Sequence, residues 1–273
     1  MQEIMPTFSI ITVCYNEAKN IRKTLDSIVM QTCSDYELII VDGESTDGTK
    51  DIFLQYKNHI KWWCSEKDRG IYHAMNKGVN HASGEYIIFM NAGDWFYDNK
   101  VLANVKQSGI TSDIIEGYIV CPNKNKRIRE RYEDLYVHLF ADTISHQGAF
   151  IKRPLLLSYP YDENYKIVAD WKFWIETLIL NNYSYSFLDL NIAYYDMTGI
   201  SASHKAVKEE REKVYQELFP PHIVKLIHSY FEAYDLALVK YAVYLSHHSP
   251  KGYSLVRKIA KRIVKLTKAK LFF

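Results

Sequence analysis

The stretch YIIFMNAGDWF, residues 86–96, runs from an unbroken apolar segment straight into small and polar residues and a single acid, Asp94. A short apolar run with no alternation is a strand covered on both faces. A carboxylate just past such a strand either caps the next turn or holds a cation at the mouth of a sheet. The flanking sequence decides between these.

Working outward, the same pattern recurs. FSIITV (8–13) is a compact buried strand, and after it Ile21, Leu25, Ile28 and Val29 fall at helical spacing. YELIIVDG (36–43) is a second strand that stops at Asp42-Gly43, and TDGTKDIFLQYK reads as a helix behind polar cap residues. IKWWCSE (60–66) is a short third strand, GIYHAMNKGVNHA a helix, and GEYIIFMN the fourth strand. Strand alternating with helix at this interval predicts an α/β fold with a Rossmann-like, doubly wound, mostly parallel sheet. Ligands of such sheets sit beyond the carboxyl ends of the strands. Tyr15-Asn16-Glu17, Asp42 and Asp94 all fall there.

Past residue 100 the alternation weakens. TSDIIEGYIV and SYSFLDLNIAYYDM read as strands, and ADWKFWIETLIL as a helix. From about 205 the chain reads as helical, broken at Pro220-Pro221, which gives a C-terminal helical extension over 206–273. The main domain is expected to span 1–205, with one half to about 100 and a second over 101–205.

Composition excludes several classes. Of 273 residues 48% are hydrophobic and 24% charged, as in ordinary globular proteins. Cys14, Cys33, Cys64 and Cys121 form no CxxC pair, which argues against a zinc knuckle or disulfide framework and suits a reducing compartment. No signal-peptide pattern opens the chain, and no run reaches the ~20 apolar residues of a membrane span. The expectation is a cytoplasmic protein with no nucleic-acid partner. The segment 249–273 carries eight Lys/Arg and no acid, with Leu255, Ile259, Ile263 and Leu266 at helical spacing. A basic amphipathic helix of that kind suits the surface of an anionic membrane at the inner face of the cell.

Neither GxGxxG nor GxxxxGK[ST] follows the first strand, so dinucleotide and P-loop chemistry are set aside. Instead, SIITVCYNEAKNIRKTLDSIVMQT (9–32), YELIIVDGESTDGT (36–49), DRGIYHAMNKGVNHASGEYIIFMNAGD (68–94), ISHQGAF (144–150) and ADWKFWI (169–175) resemble, in order, family 2 glycosyltransferases. These are inverting enzymes of the GT-A fold that use nucleotide-activated sugars, and the likeness runs over about residues 6–200.

That resemblance implies roles. Thr12, Tyr15, Asn16 and Glu17 would surround the nucleoside, and Asp42 would accept a hydrogen bond from the base. Ser45 and Asp47 read instead as caps of the next helix. Asp68, Arg69 and Gly70 would lie beside the donor, with the planar Arg69 fork suited to phosphate. The relatives' Asp-x-Asp cluster is reduced here to Asn91-Ala92-Gly93-Asp94, which leaves Asp94 to ligate Mn²⁺ or Mg²⁺ and Asn91 to touch sugar or metal. Asp170 would be the catalytic base. His146 would sit near the sugar or the metal, and His204 would reach the metal and diphosphate from a loop; His73, His81, His247 and His248 read as surface residues. The donor would be a UDP-, GDP- or other nucleotide sugar, and the acceptor a growing glycan or lipid-linked hydroxyl, as in a hexosyltransferase of surface-polysaccharide synthesis. The rivals are a nucleotidyltransferase, whose Gly-rich loop is missing, and a degenerate sugar-nucleotide-binding protein without activity.

Overall fold

The computed structural model describes residues 5–123, 126–128, 134–195 and 204–234, with Ser249, Lys251, Ser254 and Lys258; the side chains of His204 and of residues 231–234 fall outside that description. Two compact units are present, Met1–Val214 and Tyr215–Phe273.

The first unit opens with β1 (Phe8–Cys14), α1 (Ile21–Val29), β2 (Tyr36–Asp42), α2 (Thr49–Phe53), β3 (Ile60–Ser65), α3 (Ile71–His81) and β4 (Tyr86–Phe89). β1 is buried at every residue because helices cover both faces of the sheet. Its partners are parallel, with Cys14 opposite Asp42 on β2 and Ile11 opposite Phe89 on β4. Ile21, Leu25 and Ile28 of α1 join Phe8, Ile10 and Cys14 in one core cluster. On the other face α3 packs so closely that a Cβ on Gly78 would lie 2.5 Å from Ile11 Cγ2.

The rest of the unit is β5 (Trp95–Phe96), α4 (Val101–Gln107), β6 (Ile114–Cys121), β7 (Lys126–Arg127), α5 (Leu135–Ala141), β8 (Ala149–Lys152), α6 (Arg153–Ser158), α7 (Ala169–Trp174) and β9 (Tyr185–Tyr194), followed by the start of α8 (His204–Leu218). After Trp174 the helix continues as a π-turn segment, Ile175–Leu180. The strand order is β3-β2-β1-β4-β8-β6-β9-β5, with β7 beside β6. The parallel block β3-β2-β1-β4 matches the alternation read from sequence. β8 does not: it lies antiparallel between β4 and β6. Its reversal has a consequence for chemistry, because the amino end of β8, where His146 sits, meets the carboxyl end of β4.

The second unit contains α9 (Pro221–Tyr234), on which Leu226 and Tyr230 are exposed. Among the described residues no helix is long and apolar enough to cross a membrane. Two histidines expected on the surface do more. His81 stacks on Trp62 at 3.6 Å between ring centroids, and His73 is half-buried with an enclosed Nδ1.

Candidate active site

The loops after β1 and β2 are stitched together through side chains. The Asn16 N–H donates to Ser45 Oγ, the Glu17 N–H to Thr49 Oγ1 and the Ala18 N–H to Asp47 Oδ2, while Asn16 Oδ1 accepts from the Thr46 N–H. Asn16 takes a left-handed φ of 54°, a conformation Asn tolerates better than most residues. Asp47 also accepts from the Thr49 N–H, but the cap position of α2 is Gly48 with no side-chain cap bond, so Ser45 and Asp47 tie the two loops together rather than capping the helix as expected.

Asp42 is fully buried, and its carboxylate accepts from Ser45 and Ser65 hydroxyls and the Ser45 N–H. Cys14 Sγ approaches the same carboxylate, and burial first, then that negative charge, raises the thiol pKa. Thr12 is equally buried, on the β1 face shared with Ile10 and Cys14. Tyr15 by contrast is 63% exposed and stands open to a flat ligand. Asp68 accepts from the Gly70 N–H at the start of α3, and Arg69 forks onto Glu163 with Nε at 3.1 Å and Nη2 at 2.5 Å.

Beyond β4 a hydrogen-bonded line runs from the end of that strand to the start of α7. Asn91 Nδ2 lies 3.1 Å from His146 Nε2, and His146 Nδ1 lies 3.1 Å from Asp170 Oδ2. The other Asp170 oxygen accepts from the Tyr72 hydroxyl at 3.0 Å and the Trp171 N–H at 2.8 Å. Burial, and then the Asp170 charge, pushes the Tyr72 pKa well up, so the phenol remains a donor. The Asn91 amide and the Asp170 carboxylate thus meet the two opposite nitrogens of one imidazole ring. Trp171 and Trp174 turn away into the core, where their indole N–H groups bind the carbonyls of Leu139 and Ile144.

Asp94 is buried at the end of a tight turn in which its N–H returns to the Asn91 carbonyl and Gly93 adopts φ 105°. Asn91 Oδ1 is enclosed without a hydrogen-bond partner, a cost of about 1–3 kcal/mol unless a ligand relieves it. Asp94 carboxylate and Asn91 carbonyl are hard oxygen donors of the kind Mn²⁺ and Mg²⁺ prefer. Among the described residues no group of three His, Cys, Asp or Glu could hold a metal. The residues therefore fit a divalent ion only as part of a shell that a diphosphate and waters complete. His204 opens α8, and its side chain lies outside the described residues.

Three residues at this site carry no sequence signal: Tyr72, Glu163 and Glu210. They meet Asp170, Arg69 and the segment before Asp170 across 98, 94 and 42–44 positions. No local periodicity encodes contacts at that range.

A parallel block β3-β2-β1-β4, with polar loops at its carboxyl ends and an antiparallel strand leading to a second half, is the GT-A architecture of glycosyltransferases. The solved structure of S. aureus TarS 1–349 superposes with a TM-score of 0.65 at 20% identity, covering 81% of this chain and 69% of that one. A mannosyltransferase from Pyrobaculum calidifontis gives 0.60 at 20% identity, over 96% and 81%. The profile of Glycosyl transferase family 2 matches residues 9–152, and the chain belongs to that family. A PGL/p-HBAD biosynthesis glycosyltransferase of Mycobacterium bovis (strain BCG / Pasteur 1173P2) is 37% identical over 175 residues, 62% of this chain and 68% of the relative. An uncharacterized glycosyltransferase of Rickettsia typhi is 30% identical over 189 residues, 63% and 59%.

Proposed function

We propose that this glycosyltransferase moves a sugar, with inversion, from a nucleoside-diphosphate donor to an acceptor hydroxyl of a glycan or lipid-linked intermediate, and that Asp170 is its base. The observation that carries the reading is the line Asn91–His146–Asp170, which joins the end of the donor strand to an acceptor-side carboxylate. The acceptor hydroxyl gives its proton to Asp170 as it attacks the anomeric carbon from the face opposite the diphosphate. A divalent ion held by Asp94 and Asn91 would supply charge neutralisation to the departing diphosphate. Tyr15 offers its exposed ring to the base, and Arg69 offers phosphate a fork once it leaves Glu163. Fold neighbours support a nucleotide-sugar donor: TarS has been solved with UDP and with UDP-GlcNAc, and the Pyrobaculum enzyme with GDP-Man and Mn²⁺. The proposal extends to work at the inner membrane surface, reached through the basic segment 249–273.

Thermal-shift titration with UDP- and GDP-sugars, with and without Mn²⁺, tests the reading, because a ligand of the native state raises the midpoint. One nucleotide should give a metal-dependent shift that Asp94→Ala removes. Asp170→Asn should keep the shift and lose nucleoside-diphosphate release. Release by Asp170→Asn at the wild-type rate would sink the base assignment. Binding without release by the wild type would favour the degenerate binding protein.

A further inference from the structure

We propose that Glu210, on α8, is a positioning residue that sets the geometry of Asp170 through the segment Lys166-Ile167-Val168. Its carboxylate collects three successive backbone amides: Oε1 accepts from the Lys166 N–H at 3.0 Å, and Oε2 accepts from Ile167 at 2.9 Å and Val168 at 3.2 Å. Asp170 follows two residues later, in the first turn of α7.

The coupling to Asp170 runs through one peptide plane. The Val168 N–H and the Ile167 carbonyl belong to the same rigid amide. Glu210 holds the N–H end, and the Tyr72 hydroxyl donates to the carbonyl end at 2.7 Å. That hydroxyl also reaches Asp170 Oδ1 at 3.0 Å, and it has a single proton to share. The tilt of the 167–168 peptide therefore decides how much of the Tyr72 proton Asp170 receives. Without Glu210 the plane is held at one end only, three N–H donors lose their acceptor, and the carboxylate drifts from its place beside His146. Arg211 seats the same stretch of α8, with Nη2 on the Asp142 carbonyl at 2.6 Å and its guanidinium over the Trp171 ring. The helix after the catalytic domain's last described strand thus acts as a clamp on the base.

The inference rests on Asp170 being the base, and the experiment separates the two. Glu210→Ala, Glu210→Gln, Asp170→Asn and the surface control Glu209→Ala are made in the full chain. Nucleoside-diphosphate release is measured at saturation with whichever UDP- or GDP-sugar the wild type consumes in Mn²⁺, alongside calorimetric donor binding and amide hydrogen exchange. Both Glu210 variants should bind donor at full stoichiometry with the wild-type KM while kcat falls tenfold or more, Gln less severely than Ala. Exchange should speed up over residues 166–170 and stay unchanged in β1, β2 and β4; Glu209→Ala should match wild type. A Glu210→Gln enzyme with full binding and wild-type kcat overturns the proposal, and leaves the reading of Asp170 intact if Asp170→Asn is inactive. An active Asp170→Asn, or a wild type that consumes no donor, overturns the reading itself and the proposal with it. Loss of exchange protection across the whole sheet in both Glu210 variants would make Glu210 a folding residue and overturn it too.

Discussion

His146 joins two side chains through the two nitrogens of its ring. With Nδ1 toward Asp170 and Nε2 toward Asn91, the ring is a spacer between the end of strand β4 and helix α7. The arrangement orients the Asp170 carboxylate with a hydrogen bond to a charged acceptor, an interaction of about 1.5–3 kcal/mol. His146→Ala should accordingly lower kcat by roughly ten- to hundredfold, with little change in donor KM because His146 makes no ground-state bond that the donor itself must supply. Steady-state kinetics in donor decide it: a rise in KM alone would mean that His146 binds sugar rather than orienting the base. Asn91 Oδ1, on the far side of the same amide, is enclosed without a hydrogen-bond partner. A side chain that reads in sequence as a metal-cluster acid replaced by an amide is, in the fold, one end of the line to His146 and Asp170.

Elements were legible in proportion to how much of their environment is local. β1, β2 and β4 announce themselves because both faces are buried and the sequence has no alternation to mislead, and their last residues fix Asp42 and Asp94 at the ligand edge. β5 and β8, of two and four residues, have no period to read, and β8 reverses direction by pairing across 64 positions, Ile87 with Ile151. Asp42 was readable in place and not in partner, since Ser65, 23 residues away, closes over it. Gly84, before β4, shows the sequence acting through backbone approach instead. A Cβ there would come within 2.7 Å of the Phe8 carbonyl carbon and the Ser9 nitrogen, neither of which can move without breaking β1. Its N–H meanwhile donates to Ser9 Oγ and Glu37, a buried carboxylate that also binds Ser83. Gly84→Ala should cost about 1–3 kcal/mol as overpacking, and Tm should fall by roughly 2–4 °C per kcal/mol for a domain of this size. A melting curve superposable on wild type would show that the β1–β4 end of the sheet is looser than its packing indicates.

Charge at the scale of the whole molecule is divided rather than balanced. The net +2 conceals a segment, 249–273, with eight Lys/Arg and no acid, against 26 Lys/Arg and 32 Asp/Glu in residues 1–248. An anionic surface would attract this segment, and the membrane contact proposed above rests on that charge. Upstream, α9 exposes Leu226 and Tyr230 four residues apart, beside Lys225, the mix that favours an interface over bulk water. Each basic residue near an anionic surface contributes about 1 kcal/mol. Replacing Lys258, Lys261, Lys265 and Lys268 with Gln in the full chain should therefore weaken partition onto vesicles rich in anionic lipid by about three orders of magnitude. Wild-type binding should also decay between 0.15 M and 1 M salt, where the screening length shrinks from about 8 to 3 Å. Co-sedimentation with anionic and with neutral vesicles separates the contributions. Equal binding to both would assign attachment to the apolar face of α9, and no binding to either would leave the basic segment without a membrane role. Salt-sensitive binding to anionic vesicles alone would assign attachment to the basic segment.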